Sequence, residues 1–251
     1  MERRTDAVEL IDGLLDDTVA LTGNLRDLRR INRYLGGVDL SAAAIDALAA
    51  HLGAVTLLDV GTGGADIPLA LIERARTHDR RLDVVALDSR PEVLAAAVLA
   101  TPTLATEDGL ELHVGDGRTL PYADRSFDVA HCSLLIHHLT PDEATAVLAE
   151  MARVARLGVV VNDLDRGRLG LVGAWLIGHL LTGNRYTRHD SILSVRRSYH
   201  PGEVAAMLRA AGLTPVRTVR GAFRQRYAIA AVPTPEPARP GEAPDPQGVG
   251  D

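Results

Sequence analysis

Val55-Thr-Leu-Leu-Asp-Val60 runs directly into Gly61-Thr-Gly-Gly-Ala-Asp66, and the reading of this stretch decides the fold. A short apolar, β-branched run that ends in clustered glycines is a buried strand entering a tight loop. Ile67 to Arg76 then reads as a helix. The rhythm repeats downstream. Leu82 to Leu87 is a second buried strand, closed by Asp88, and Pro91 opens a helix that reaches about Ala100. Leu110 to Val114 is a third strand, closed by Gly115-Asp-Gly117. Ser126 to Cys132 is a fourth, followed by Leu134 to Leu139. Pro141 to Ala155 is a helix and Leu157 to Val161 a fifth strand. Strands alternating with helices require right-handed crossovers and a mostly parallel sheet, so the fold class is α/β, doubly wound. After a further helix, Glu203 to Ala211, the runs Thr214 to Val219 and Arg226 to Val232 close the sheet as an antiparallel pair.

The flanks read differently. Residues 6–35 carry two apolar stripes: Val8, Leu10, Ile11, Leu14 and Leu15, then Leu25, Leu28, Ile31 and Leu35. Arg26, Arg29, Arg30 and Arg33 fall between the members of the second stripe, as a solvated face would. Gly36-Gly37 stops that helix, and Ser41 is a suitable N-cap for an Ala-rich helix through about Leu52. Residues 1–52 are therefore expected to form a helical cap and 53–232 the α/β domain. Within that domain, about 166–200 breaks the alternation. Leu169 to Leu181 is apolar and helix-length, yet dotted with Gly170, Gly173 and Gly178, each costing about 1 kcal/mol of helix propensity. The two readings are a lid over the site and an ordinary core helix.

The chain has 251 residues, net charge −6 and one cysteine, Cys132. A single cysteine excludes an internal disulfide framework and any multi-cysteine zinc site. The acidic balance argues against a nucleic-acid binder that works through bulk positive charge. Residues 233–251 hold six of the 13 prolines and four acidic residues against Arg239, and are expected to be a disordered acidic tail. No run of ~18 apolar residues is present to span a membrane, and no apolar signal core follows the first residues, so the expected compartment is the cytoplasm.

In an open α/β sheet the ligand lies beyond the carboxyl ends of the strands. Here those ends are Asp59 to Asp66, Asp88-Ser89, Gly115-Asp116-Gly117, Cys132-Ser133 and Asn162-Asp163. Gly61 and Gly63 allow close approach to a ligand, and the following helix aims its N-terminus there. A dinucleotide fingerprint needs a third glycine where Asp66 stands, and a carboxylate there repels a pyrophosphate. The Lys-Ser/Thr of a triphosphate loop is also missing. An adenosine-type ligand with a cationic amino-acid end and no phosphate remains, and S-adenosylmethionine fits.

The set of motifs resembles the class I S-adenosylmethionine-dependent methyltransferases. Val55 to Asp66 is similar to their first motif, and Leu120-Pro121 with Phe127-Asp128-Val129 to the lead-in to the fourth strand. Leu134-Leu-Ile-His-His-Leu139 resembles the ubiquinone/menaquinone-biosynthesis-like branch. The resemblance covers roughly residues 53–162. It implies that Asp88 holds ribose hydroxyls and that Gly115-Asp116-Gly117 meets the adenine, with Asp116 on its amine. Leu25 to Gly37, Asn162 to Arg166, Arg188 to Ser191 and Ser194 to Arg197 further resemble methyltransferases associated with type III polyketide synthases, which implies a phenolic or quinone-like lipid acceptor. One departure is Arg153 to Gly158, which replaces the family's usual Lys-Pro-Gly-Gly turn.

The expected cofactor contacts are thus Asp59, Gly61, Gly63, Asp66, Asp88, Ser89, Asp116, Gly117 and Ser133. Asp59 is either a ligand contact or a hydrogen bonder within the loop. Asp88 has the alternative of capping the next turn, and Asp116 that of capping its own loop. Transfer from a sulfonium is an in-line displacement governed by positioning, but a phenol with a pKa near ~10 needs a base. His138 and His189 are the candidates, the latter flanked by Asp190 as an oriented base should be. His137, Trp175 and Arg188 are candidate acceptor contacts; Trp175 in the Leu171–Leu181 stretch is otherwise plain core. The spacing of His131, His137 and His138 makes a poor metal set, so no metal is expected. The reading is O- or C-methylation of a small aromatic or lipid-like acceptor, with peripheral membrane contact open. Its rivals are a protein or RNA acceptor, a regulatory protein that binds the cofactor without turnover, and a nicotinamide oxidoreductase.

Overall fold

In the computed structural model, which describes residues 3, 9–13, 15, 17–176 and 182–235, the stretch Ala54–Val60 is strand β1. Helix α3 (Asp66–Thr77) returns the chain to β2 (Arg81–Asp88), and α4 (Pro91–Ala100) leads to β3 (Leu110–Val114). The chain then crosses to β4 (Phe127–Ser133), α5 (Pro141–Val154) and β5 (Ala155–Leu164). These strands pair in parallel. Helices α6 (Arg168–Leu176), α7 (Arg185–Arg197) and α8 (Pro201–Ala210) precede β6 (Leu213–Arg220) and β7 (Arg226–Pro233). The sheet order is β3-β2-β1-β4-β5-β7-β6, with β7 antiparallel to both neighbours. The chain leaves β1 toward β2 on one side and reaches β4 on the other, so a switch point opens at the carboxyl ends of β1 and β4.

Alternation along β1 builds two cores. Val55 and Leu57 face α2 (Gly37–Ala49), α3 and α4, joined by α1 (Thr18–Tyr34) through Leu21 and Leu25. Leu58 and Val60 face α5 and α8 through Val147, Leu148, Met151, Val204 and Leu208. Both faces of the sheet are covered, which is why its strands read as continuous apolar runs.

Three expectations change. Helix α2 begins at Gly37 behind Gly36, whose φ of +79° makes the turn, so Ser41 lies inside the helix and not at its cap. Strand β5 extends to Leu164 and takes Asn162 and Asp163 into the sheet, opposite Ala228 and Tyr227 of β7. Gly170 has a packing reason: a Cβ there would stand 3.3 Å from Val195 Cγ1, so its absence lets α6 lie close on α7. Residues 177–181 of the expected lid, and the acidic tail beyond residue 235, lie outside the described residues.

Candidate active site

The loop after β1 is shaped by glycine. Gly61 and Gly63 have φ of +69° and +55°, a region that costs a residue with a side chain about 1–2 kcal/mol. A Cβ on Gly61 would strike Leu135 Cδ1 at 2.8 Å, whereas one on Gly63 would meet nothing within 4 Å. Gly61 there makes room for Leu135, and Gly63 borders open space. The N–H groups of Gly61 and Thr62 both donate to Leu87 O, at 2.8 and 3.0 Å, and tie the loop to the end of β2.

The next residue of β2 completes the clasp. Asp88 Oδ2 accepts from Gly63 N at 2.9 Å and Oδ1 from Arg90 N at 3.0 Å. Burial holds this carboxyl above the usual carboxylate range, against the pull of those two N–H groups. Arg90 turns its guanidinium away, to Ile11 O and Glu92 Oε1. Ser89 is exposed. Asp116 is exposed too, and its carboxylate pairs with Arg118 on the same loop at 2.8 Å. Gly117 is required for packing, because a Cβ would come within 2.7 Å of Val60 Cγ1.

Beneath the loop runs a buried polar network that the sequence reading did not anticipate. Asp59 Oδ1 meets His131 Nδ1 at 2.6 Å, and His131 Nε2 meets Ser41 Oγ at 2.8 Å. Asn162 Nδ2 donates to Ser41 Oγ and to Gly37 O. Arg226, only 2% exposed, donates from Nε to Asn162 Oδ1 at 2.7 Å and from its two terminal nitrogens to Asn32 Oδ1 at 2.6 Å and Ser133 Oγ at 2.7 Å. Asn32 Nδ2 donates in turn to Asp66 Oδ2. Burial lowers the Arg226 pKa to about 10, so it remains a cation; burial raises that of Asp66. Three expected cofactor contacts are members of this network: Asp59 is paired with His131, Asp66 accepts from Asn32, and the Ser133 hydroxyl accepts from Arg226. A histidine and an asparagine inside apolar strands, His131 and Asn162, were the available signal, since a buried polar group must find a partner.

A second polar cluster sits on the 3-10 turn Ile136–His138, just past β4. His137 is buried; its backbone N–H donates to Asp163 Oδ2 and its Nδ1 lies 2.7 Å from Asp163 Oδ1. Its Nε2 faces Glu9 Oε1 at 3.8 Å. His138 Nε2 lies 3.9 Å from Glu9 Oε2, and its Nδ1 is 2.8 Å from Asp12 Oδ1, displaced from the line of a straight hydrogen bond. Burial drives the Glu9 pKa up to about 7. Burial also acts on Asp12, but His138 and Arg197 prevail and bring it down to about 2. The N-terminal turn Leu10–Asp12 is strapped across this end of the sheet. Leu10 N and Ile11 N donate to Asp190 on α7, and Ile11 O accepts from Arg90. His137, expected as an acceptor contact, is instead an internal member of this cluster. Glu9 was missed because it lies more than a hundred residues from its partners.

Comparison with known proteins settles what the clasp belongs to. Residues 57–158 match a family described as "Methyltransferase domain". The ubiquinone/menaquinone biosynthesis C-methyltransferase of Dinoroseobacter shibae is 30% identical over 229 residues, 86% of this chain and 87% of that protein. The chain belongs to the S-adenosylmethionine-dependent methyltransferases. The demethylmenaquinone methyltransferase of Deinococcus radiodurans is 32% identical over 213 residues, 78% of this chain and 80% of that protein. Human N-acetylserotonin methyltransferase, solved with its cofactor, shares the fold: its TM-score is 0.66 at 14% identity, over 92% of this chain and 61% of that one.

The donor set of this methyltransferase suits its cofactor, S-adenosylmethionine. A carboxylate faces a glycine loop that borders open space, and no lysine or arginine side chain donates to that loop among the described residues. Such a surface takes hydroxyls and a cation and not a phosphate. Three expected residues stand elsewhere. His189 is oriented by Asp190 at 2.8 Å as foreseen, but its ring is half-exposed on α7. Arg188 is exposed on the same helix. Trp175 is half-exposed on α6 beside Leu171, Val172, Ile192 and Arg196, on an outward surface and not in an enclosed pocket. Asp190, read as the orienter of a base, spends its carboxylate capping the turn Leu10–Asp12.

Proposed function

We propose that this methyltransferase methylates a ring carbon of a phenolic or quinol acceptor with lipid-like character. The observation that carries the cofactor half is the Asp88–Gly63 clasp at the switch point; similarity over most of their length to two quinone methyltransferases supports the acceptor half. Asp88 accepts from the ribose hydroxyls, Gly63 leaves room for the adenosyl group, and Ser89 and the backbone at Gly117 flank it. Asp116 reaches the adenine amine by releasing Arg118, an exposed pair that solvent screens. The bound cofactor supplies an electrophilic methyl group on a sulfonium. The protein holds the acceptor carbon in line with that methyl and excludes water. The ring proton displaced by the methyl group would leave to solvent through the polar cluster of the turn Ile136–His138. His138 is the member of that cluster with solvent access, its side chain 21% exposed, and its place just past β4, where His189 is on α7, favours it over His189.

The exposed strip Leu169, Val172, Trp175 and Leu176 on α6 supports contact with a lipid surface from which such an acceptor is drawn. Helices α6 and α7 act as the lid of the 166–200 insertion, and residues 1–52 as the cap. The deciding experiment supplies isotope-labelled S-adenosylmethionine and a prenylated quinol lacking one ring methyl, with product analysis by mass spectrometry. Label on a ring carbon supports the reading. Label on oxygen moves the enzyme to O-methylation, and absence of any transfer to quinols or phenols refutes the acceptor class.

A further inference from the structure

Glu9, His137 and His138 each turn a lone pair toward the same point. One ring nitrogen of each histidine and a carboxylate oxygen of Glu9 lie within 4.8 Å of one another, yet at 3.8 and 3.9 Å the His Nε2–Glu9 pairs are too far apart to hydrogen-bond. Asp163 is hydrogen-bonded to Nδ1 of His137, which puts that ring's proton on Nδ1 and its lone pair on Nε2, and Asp12 stands 2.8 Å from Nδ1 of His138 on the corresponding side. A carboxylate behind the imidazole is the arrangement that orients metal-binding histidines. Glu9 is 2% exposed, and its Oε1 has no hydrogen-bond partner, so a buried, unpartnered oxygen is aimed at the point where the two rings converge. Three acceptors that converge without a donor between them call for a cation.

We propose that Glu9, His137 and His138 bind one divalent first-row transition ion, with Asp163 and Asp12 as the supporting carboxylates. Local charge agrees. Glu9, Asp12 and Asp163 contribute three negative charges; Arg197, 2.8 Å from Asp12 Oδ2 and 3.9 Å from Glu9 Oε1, contributes one positive charge. The spacing agrees as well. Tetrahedral ligation with bonds of ~2.1 Å sets ligand atoms ~3.4 Å apart; His137 Nε2 lies 3.8 Å from Glu9 Oε1 and His138 Nε2 3.9 Å from Glu9 Oε2, so closure on an ion needs only a small inward movement of these side chains. Two histidines and one carboxylate leave at least one coordination position open. Ser194 Oγ donates to Glu9 Oε2 at 2.8 Å and fixes that carboxylate from outside. The ion would hold the strap at residues 9–13 to the turn after β4, and its open position would accept an oxygen ligand such as a phenolate. The site needs only this geometry and stands whether or not the acceptor is a quinol.

The test uses tag-free full-length protein, stripped with a chelator and titrated with Zn2+, Mn2+ and Co2+ chlorides. The expected result is one equivalent bound per chain with micromolar or tighter affinity, weakened at least tenfold in Glu9→Gln and in His138→Gln while S-adenosylhomocysteine binding is unchanged. Should a variant fail to fold, pulsed electron paramagnetic resonance of the Mn2+-loaded or Co2+-loaded wild type reads the remote imidazole nitrogens directly, and two are expected. Substoichiometric binding, binding that survives both substitutions, or a spectrum without imidazole coupling overturns the site. Because the readout is metal binding and not methyl transfer, its failure leaves the acceptor assignment standing, and the reverse holds.

Discussion

Replacing Arg226 with methionine tests the network that supports the glycine loop. The guanidinium is fully buried and donates to three acceptors, Asn162 Oδ1, Asn32 Oδ1 and Ser133 Oγ. Methionine fills much of the same volume but donates to none of them. Each stranded acceptor costs about 1–3 kcal/mol, a gross loss of about 3–9 kcal/mol. Relief from burying a cation, whose depressed pKa of about 10 records the strain of desolvation, returns part of that. Removal of one member from a buried ionic set gives a net loss of about 3–5 kcal/mol in comparable cases, and we expect Arg226→Met to fall there. For a domain of this size that corresponds to about 6–20 °C in melting temperature. Urea and thermal unfolding followed by circular dichroism give the number. A double-mutant cycle with Asn32→Ala isolates the shared term, expected at about 1 kcal/mol or more for groups in contact. A loss below about 1 kcal/mol for Arg226→Met, or additivity with Asn32→Ala, would refute the network as a supporting element.

Gly61→Ala is expected to destabilise more than Gly63→Ala: both meet the left-handed backbone cost of about 1–2 kcal/mol, but only the former drives a Cβ to 2.8 Å from Leu135 Cδ1. Equal urea midpoints would contradict the packing account. Asp66 titrates above the usual carboxylate range because of burial, with Asn32 and Arg226 pulling it down and Asp59 pushing it up. A raised folded pKa means that its contribution is fully present below ~3.9 and is lost as pH rises through the raised value. Wild type should therefore lose stability relative to Asp66→Asn as pH rises from about 4 through the raised value, and a relative gain on that side reverses the sign. On vesicles of mixed neutral and anionic lipid, Trp175 emission is expected to shift to shorter wavelength; an unchanged spectrum removes α6 from the membrane.

What could be read from the sequence follows the range of the interactions involved. Strand and helix identities depend on neighbours a few residues away, and Pro91, the glycine loop and the apolar runs located β1 to β5 and α3 to α5. The capping alternative for Asp88 was legible for the same reason, since its Oδ1 accepts from Arg90 N two residues on. Residues whose roles depend on distant pairing were not. His131 resembled a loose member of a histidine group until the register placed it directly across from Asp59. Arg226 looked like an ordinary strand start, yet β7 inserts beside β5 and carries it under the loop. Gly37 was read as a helix stop; it begins α2, and a Cβ there would stand 2.7 Å from an Arg226 nitrogen. Trp175 was weighed as pocket lining because an apolar helix has no outward sign of which face is covered. Glu9 joins His137 only through a strap held by Asp190 and Arg90, and local pattern carries no trace of that contact.

The most direct measurement is calorimetric titration of S-adenosylhomocysteine into wild-type protein and into Asp88→Ala. Wild type should bind one molecule per chain, and the variant should lose about 1–3 kcal/mol of binding free energy, the worth of hydrogen bonds to a charged group, while NAD produces no heat with either. Equal affinity in the two proteins, or tight NAD binding, would contradict the assignment of Asp88 and its loop.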